Sequence, residues 1–396
     1  MSGPPPPAVD EDGLDPPAYP AGALSDVIPV IGGALGLPDA DGRTRALGTW
    51  RPEPTRKACL LLVDGMGREL LRRHAAYAPY LAALLAEPET GHSLTAGFPS
   101  TTSTSLASVG TGLPPGAHGM LGYRLMVPAT GKLMNFLRWD QNVDPLEWQP
   151  RETMFERMTA AGITVTHVSA PRFADSGLTR SVFRGARFSG ADSSDEAARR
   201  AVEALGSGER SFVYLYYRDL DFIGHTVGVG SPRWREELSY VDGLVQRLAE
   251  QMPADATLFV TADHGMVDVP QDHRIDMDQD WELRAGVAML GGEARARHVY
   301  ATQGAARDVL AIWEERLEGV AVVRSRDQAV AEGWFGPPDA VDAAMAARVG
   351  DVIVAMKRDW AVVATEREAV DARQIGMHGS LTPEEQLVPL LEIRRG

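Results

Sequence analysis

A single cysteine among 396 residues, Cys59, leaves no partner for an internal disulfide. Its place in the apolar run Ala58-Cys59-Leu60-Leu61-Leu62-Val63 makes it a core residue rather than a nucleophile. No uninterrupted apolar run of about twenty residues exists, so no stretch reads as a membrane-spanning helix. Residues 1–20 lack the basic start and apolar centre of a secretory signal, and a cytoplasmic location is expected. Basic residues are scarce: 39 Lys and Arg stand against 54 Asp and Glu, a formal charge of -15. That balance argues against a nucleic-acid groove or an anionic membrane as partner. A small anionic substrate passes the same test, because bound cations reverse the field locally. No internal repeat is present.

Hydrophobic residues make up 44% of the chain, enough for a large core. Residues 1–22, rich in proline and acid, read as a disordered tail. Beyond it, short β-rich runs alternate with helical patterns, which indicates an α/β fold with a mainly parallel sheet sandwiched by helices. Strands are expected at 59–63, 163–168, 212–217 and 258–261. Between 286 and 358 the pattern changes to short strands at 298–301, 320–323 and 351–356 around a helix near 305–317. This reads as a small α+β insertion in a core made of 23–285 and 359–396. Sites in such sheets collect beyond the carboxyl ends of the strands, and Asp64, Asp221 and Asp263 lie just past three of them.

Five short motifs carry chemistry. Val63-Asp64-Gly65-Met66-Gly67 ends a buried run at a carboxylate and two glycines, which permit a sharp turn. Pro99-Ser100-Thr101-Thr102-Ser103-Thr104 puts hydroxyls at the start of a helical stretch, where free N–H groups and the macrodipole attract a phosphoryl oxygen. Asp219-Leu220-Asp221-Phe222-Ile223-Gly224-His225 sets Asp221 and His225 one helical turn apart, aimed at one ion, with Asp219 as competitor. Ala262-Asp263-His264-Gly265 follows the fourth strand. Gly376-Met377-His378-Gly379 precedes Thr382-Pro383-Glu384-Glu385, a capping box with proline at the first helical position.

Singly, each motif has an ordinary reading as an Asp-Gly turn, an N-cap, a surface pair or a solvated loop histidine. Jointly they do not. Packing Asp64, Asp221 and Asp263 together without a cation costs ~4 kcal/mol per close pair at an effective dielectric of about 20. Two divalent ions resolve the conflict, and three carboxylates, three imidazoles and a hydroxyl suit zinc acting on phosphorus. Composition leaves open which hydroxyl of the run after Pro99 attacks.

The order Asp, Thr, Asp-x-x-x-His, Asp-His-Gly, His-Gly resembles the nucleotide pyrophosphatase/phosphodiesterase branch of the alkaline phosphatase superfamily from about residue 59 onward. The resemblance implies that Asp64, Thr102, Asp263 and His264 hold one zinc and that Asp221, His225 and His378 hold the other. It makes Thr102 the nucleophile, three residues after Pro99 and ten before Gly112. It further implies cleavage of phosphodiester or pyrophosphate bonds in small nucleotide-like substrates through a phospho-threonine, with net retention at phosphorus.

One position departs from the pattern. Tyr123 stands where the family has a phosphoryl-binding asparagine, and a phenol has one O–H donor and no amide. The Ser103 backbone N–H, Tyr123 and Arg124 are the expected substrate contacts. Phe136, Trp139 and Trp148 could stack on a flat group, with Lys132 and Asn135 as neighbours in the same cleft. Phosphomonoester or phosphonate hydrolysis would use the same donors. A metal-dependent phosphomutase resembles a pattern with a serine nucleophile and a larger insertion, and Cys59 lacks the Cys-x-Pro-x-Arg context of a sulfatase. A metal-binding protein without catalysis is the remaining class.

Overall fold

The computed structural model describes residues 14–38, 46–48 and 50–394. Of the expected tail, residues 1–13 lie outside the described residues. Residues 14–22 lie against the body: Leu14 is buried and the Ala18 N–H donates to Thr95 Oγ1.

Runs of branched and aromatic residues form eleven strands that matter here: β1 (Lys57–Val63), β2 (Gly91–Thr95), β3 (Thr164–Ser169), β4 (Arg187–Gly190), β5 (Ser211–Tyr217), β6 (Ala256–Thr261), β7 (Val287–Glu293), β8 (Ala296–Ala301), β9 (Ala321–Ser325), β10 (Val352–Met356) and β11 (Leu387–Arg394). Among the described residues, seven of them make the main sheet in the order β2-β11-β6-β1-β5-β3-β4. The five from β6 to β4 run parallel, and β11 is antiparallel to both its neighbours. Helices pack on this sheet, among them Ser194–Leu205 against β5 and β3. The expected α/β class with a mainly parallel sheet is what forms. The expected strands at 59–63, 163–168, 212–217 and 258–261 correspond to β1, β3, β5 and β6. The sequence pattern missed β11, whose run is broken by Pro389. A proline has no N–H for the ladder, yet β11 sits inside the sheet with Pro389 opposite Ser93.

Register positions the site. Lys57 lies opposite Ser211 on one side and Ala256 on the other, so β1, β5 and β6 advance in step. Val63 is level with Tyr217, Leu62 with Thr261, and the Asp64 N–H donates to the Tyr217 carbonyl at 2.8 Å. The chain therefore leaves three adjacent strands at one height.

Strands β7 to β10 form a separate antiparallel sheet in the order β7-β8-β10-β9. A helix, Ala306–Arg316, joins it in a second hydrophobic cluster that includes Leu290, Val299, Trp313 and Val354. Trp313 is fully buried, and its Nε1–H donates to the Leu283 carbonyl at 3.1 Å. Truncating such a side chain typically costs ~3–5 kcal/mol. The turn between β7 and β8 carries Arg295, which grips Glu385 with two hydrogen bonds of 2.7 Å in a fully buried ion pair. This pair explains a departure from the expected capping box. The helix Pro383–Gln386 does start after Thr382, but Thr382 makes no side-chain cap. Its hydroxyl donates to the Glu385 carboxylate, which is held away by Arg295 and by the Ser380 N–H at 3.0 Å.

Cys59 is fully buried in β1, and burial pushes its thiol up to about 12. His118 is also fully buried. The Met120 N–H donates to its Nδ1 at 3.1 Å, so Nε2 carries the proton and faces Ser108 Oγ at 3.0 Å. Burial, with Arg348 adding to it, pulls the His118 pKa down to about 3. A histidine depressed on folding is bound to more protons when unfolded, so its contribution is full above the unfolded value and is lost as pH falls. Between pH 7 and pH 5 wild type should therefore lose about 2 kcal/mol more unfolding free energy than His118→Gln. Denaturant titrations at both pH values check this; identical pH slopes would refute it.

Candidate metal centre

Each candidate donor sits where the sheet ends. Asp64 follows β1 and Asp263 follows β6, while Asp221 and His225 lie on the helix Asp219–Val227 that begins beyond β5. Asp219 turns aside to Arg218, 2.8 Å away. Thr102 opens the helix Thr102–Thr111, and Ser105 Oγ on that helix donates to the Asp263 carbonyl at 2.7 Å. The segment before it and the His378 loop lock together, with Ser100 N–H donating to the Gly379 carbonyl at 3.0 Å.

The structure brings six of the expected donors into two adjoining groups, with Thr102 beside the first. Asp64, Asp263 and His264 form one, and Asp221, His225 and His378 the other, with the donor atoms of each within 4.8 Å of one another. His264 Nε2 is 3.4 Å from Asp64 Oδ1, 3.5 Å from Asp263 Oδ2 and 3.3 Å from Thr102 Oγ1. In the second group His225 Nε2 is 3.4 Å from Asp221 Oδ2, and His378 Nε2 is 3.9 Å from Asp221 Oδ1. The groups touch through the stacked rings of His264 and His378, 3.7 Å between centroids.

Hydrogen bonding leaves one side of every donor free. The Gly65 and His264 N–H groups both donate to Asp263 Oδ1 at 3.0 Å, and the Tyr216 hydroxyl donates to Asp64 Oδ2. Asp64 Oδ1, Asp221 Oδ1 and Asp263 Oδ2 are buried without any hydrogen-bond partner. The imidazoles are arranged to match. His225 Nδ1 faces the Gly376 carbonyl at 2.7 Å, His264 Nδ1 the Gly265 carbonyl at 2.9 Å and His378 Nδ1 the Ser100 carbonyl at 2.9 Å. A carbonyl only accepts, so each Nδ1 carries the proton and each Nε2 presents a lone pair to the carboxylates. Burial, reinforced by Asp263 and Asp221, holds the Asp64 carboxyl well above the usual range, and burial also raises Asp263. Burial, with His264 and His225 beside it, holds His378 well below its usual value. Orphaned acceptor oxygens opposite unprotonated nitrogens fit two divalent cations.

The sequence matches the type I phosphodiesterase / nucleotide pyrophosphatase family over residues 58–381. The chain belongs to that family. Murine ectonucleotide pyrophosphatase/phosphodiesterase 5, solved as an inactive threonine-to-alanine variant in complex with AMP, is similar in fold at a TM-score of 0.68 and 18% identity, over 85% of this chain and 87% of that one. Phosphonoacetate hydrolase from Sinorhizobium meliloti 1021, in complex with phosphonoacetate, is similar at a TM-score of 0.65 and 20% identity, over 87% of this chain and 92% of that one. A phosphopentomutase from Lachnoclostridium phytofermentans is 29% identical over 140 residues, 35% of this chain, and the match spans 34% of that relative's length. No helix among the described residues is long and apolar enough to cross a membrane.

In this family member the two groups open into a cavity of about 320 Å³, which Thr102, Tyr123 and Arg124 also line. Ser103 Oγ donates to the Gly122 carbonyl at 2.9 Å, which ties the helix Thr102–Thr111 to the turn before Tyr123. The Arg124 guanidinium on that wall is held by Glu368 and Asp371. Of the three expected stacking rings only Phe136 lines the cavity. Trp148 is buried beneath the Arg348 guanidinium, and Trp139 Nε1–H donates to the Val143 carbonyl at 2.8 Å. Lys132 is exposed, and Asn135 spends its side chain capping the Leu137 N–H.

Two wall residues escaped the sequence reading. Tyr216 was within reach of it, because it lies at the carboxyl end of β5 level with Leu62. Glu293 had no signal. It comes from the end of β7 in the second sheet, hydrogen-bonds Thr101, and stands 3.5 Å from His378 Nδ1 with its Oε1 unpartnered. Burial holds its carboxyl well above the ordinary range.

The glycines of two motifs turn out to serve one contact. A Cβ on Gly265 would lie 1.9 Å from the Glu384 carbonyl oxygen and 3.1 Å from Gly67 Cα, so the loops after β1 and β6 meet the helix Pro383–Gln386 backbone to backbone. Gly265→Ala is therefore expected to lower the unfolding free energy by about 3–5 kcal/mol, the severe end of single substitutions. Thermal or urea unfolding measures it, and a loss below about 1 kcal/mol would show that the loops can part.

Proposed function

We propose that this protein is a two-metal phosphodiesterase that works through a phospho-threonine on Thr102. The observation that carries the reading is the set of three buried, unpartnered carboxylate oxygens facing three imidazole Nε2 atoms, with the Thr102 hydroxyl beside them at a helix N-terminus. Asp64, Thr102, Asp263 and His264 would hold one ion and Asp221, His225 and His378 the other, and zinc suits these donors. Bound there, the pair supplies Lewis acidity for the attacking and leaving oxygens and lowers the pKa of a hydroxyl or a water.

The remaining work falls to the chain. The helix Thr102–Thr111 directs its first N–H groups, Ser103 included, at the transferred phosphoryl group. Tyr123 replaces the family amide with a single O–H donor. The Tyr216 hydroxyl and the backbone N–H groups of Gly65 and His264 fix the carboxylates in one orientation. Deprotonated Oγ1 of Thr102 attacks phosphorus and the ester alkoxide departs on the far side. Water then displaces the phosphoryl group from Oγ1, which regains a proton, and two inversions give net retention. The threonine-to-alanine change in the inactive murine neighbour supports a threonine nucleophile.

A diester fits better than a terminal phosphoryl group. Of the two arginines on the cavity wall, Arg124 is held by Glu368 and Asp371, and Arg218 lies in an exposed pair with Asp219, so the wall carries little uncompensated positive charge for a second phosphate charge. Small phosphonates, as in the Sinorhizobium neighbour, are the second reading, since they use the same donors.

Zinc-loaded enzyme should hydrolyse bis(p-nitrophenyl) phosphate faster than p-nitrophenyl phosphate; the reverse preference would overturn the diester assignment. Thr102→Ala should lower multiple turnover by at least about 10³-fold while both ions stay bound, as read by elemental analysis, and full activity in that variant would sink the nucleophile. Chelation should abolish turnover and zinc restore it, and His225→Ala should drop the metal content from two ions per chain to about one.

A further inference from the structure

The cavity wall is divided by chemistry. Its charged members, such as Asp64, Arg124, Asp221, Glu293 and Glu368, come from the end of β1, the hairpin strand Arg124–Val127, the helix Asp219–Val227, the second sheet and the loop after β10. Every lining residue between Phe136 and Phe183 is uncharged. Leu106, Phe136, Leu178 and Phe183 are the apolar members farthest from water, all buried. The helix Gly177–Val182, which carries Leu178, packs against the turn Phe136–Arg138, and the His167 and Phe183 rings are 4.6 Å apart. Leu106 stands four residues after Thr102 on one helix, hence on the same face. The chamber is thus continuous with the nucleophile.

Its few polar groups are poorly suited to reading a charged or hydrogen-bonding ligand. Ser176 Oγ donates to Thr179 Oγ1 at 3.0 Å and accepts the Thr179 N–H at 3.1 Å, so both hydroxyls serve the helix start. His167 has no hydrogen-bond partner at Nδ1, and burial pulls its pKa down to about 3, which keeps the ring neutral. A second phosphate placed here would lose its water and gain no cation.

We propose that the chamber bounded by Leu106, Phe136, His167, Leu178 and Phe183 binds an uncharged, apolar ester group of the substrate. The substrate class is then a phosphodiester or phosphonate ester of an alkyl or aryl alcohol, rather than a pyrophosphate. The inference rests on the hydrolase reading above and narrows it.

A series with one leaving group tests it: methyl, butyl, phenyl and thymidine 5′ diesters of p-nitrophenyl phosphate, assayed with zinc-loaded enzyme. Buried methylenes strengthen binding several-fold each, so kcat/KM for the butyl and phenyl esters should exceed that for the methyl ester by about tenfold or more, mainly through KM. The thymidine ester should fall below the phenyl ester. Leu178→Asn should cut the phenyl-to-methyl ratio at least about fivefold, and Leu178→Trp, which fills the space, should cut it further. Inhibition of the wild type by phenylphosphonate should exceed that by methylphosphonate in the same proportion, a measurement that needs no variant. Equal kcat/KM along the series, a thymidine ester that outruns the phenyl ester, or ratios untouched by both variants would overturn the chamber while leaving hydrolysis intact. Absence of turnover with every ester would overturn the hydrolase reading and the chamber with it.

Discussion

Three carboxylates share one small volume because three parallel strands end together, and the rest of the protein is arranged around that electrostatic problem. Asp64, Asp221 and Asp263 are each a short step past β1, β5 and β6, whose registers advance in step. Closely packed carboxylates repel, and burial adds a desolvation cost to each. The fold does not relieve this with arginine or lysine. It surrounds the carboxylates with imidazoles whose protons point outward to backbone carbonyls, so the interior is rich in lone pairs and short of positive charge. Such an arrangement is compatible with divalent cations, whose binding would offset the repulsion among the carboxylates.

The supports come from main-chain atoms more than from side chains. The carbonyls of Ser100, Gly265 and Gly376 orient the three rings, and the N–H groups of Gly65 and His264 orient Asp263. This is why the donor residues come in short glycine-bearing motifs. A donor and the backbone that aims it, or aims its neighbour, are only a residue or two apart, and glycine lets loops from β1 and β6 press against each other without side chains between.

That economy also decides what could be read from the sequence. The parallel strands, the Asp221–His225 helix turn and the convergence of the candidate donors were legible, because strand ends and glycine-flanked acids or histidines leave local patterns. The second sheet was visible as a change of period between 286 and 358. What stayed hidden depended on distant contacts. Arg124 looked available until Glu368 and Asp371, far along the chain, were seen to hold it. The capping box at Thr382 failed because Arg295 claims Glu385. Trp139 and Trp148 looked like stacking rings, but the apolar wall is built from Leu178 and Phe183, whose small helix and turn gave no functional signal. Glu293 lies in a hairpin that no motif marks, and Pro389 masked an interior strand.

The hairpin between β7 and β8 carries both Glu293, which touches Thr101, and Arg295, which clasps Glu385 just beyond the His378 loop. Its sheet packs into a hydrophobic cluster of its own through residues such as Leu290, Val299 and Val354, while Ala296, Ile353 and Ala355 belong to the cluster of the main sheet. A bidentate pair between fully buried groups tolerates little displacement, since parting them leaves two bare charges out of water. The hairpin thus bridges the Thr101 segment and the short helix Pro383–Gln386 beyond His378. The cluster around Trp313 includes Leu290 of β7 and Val299 of β8, the two strands that hold the hairpin in place.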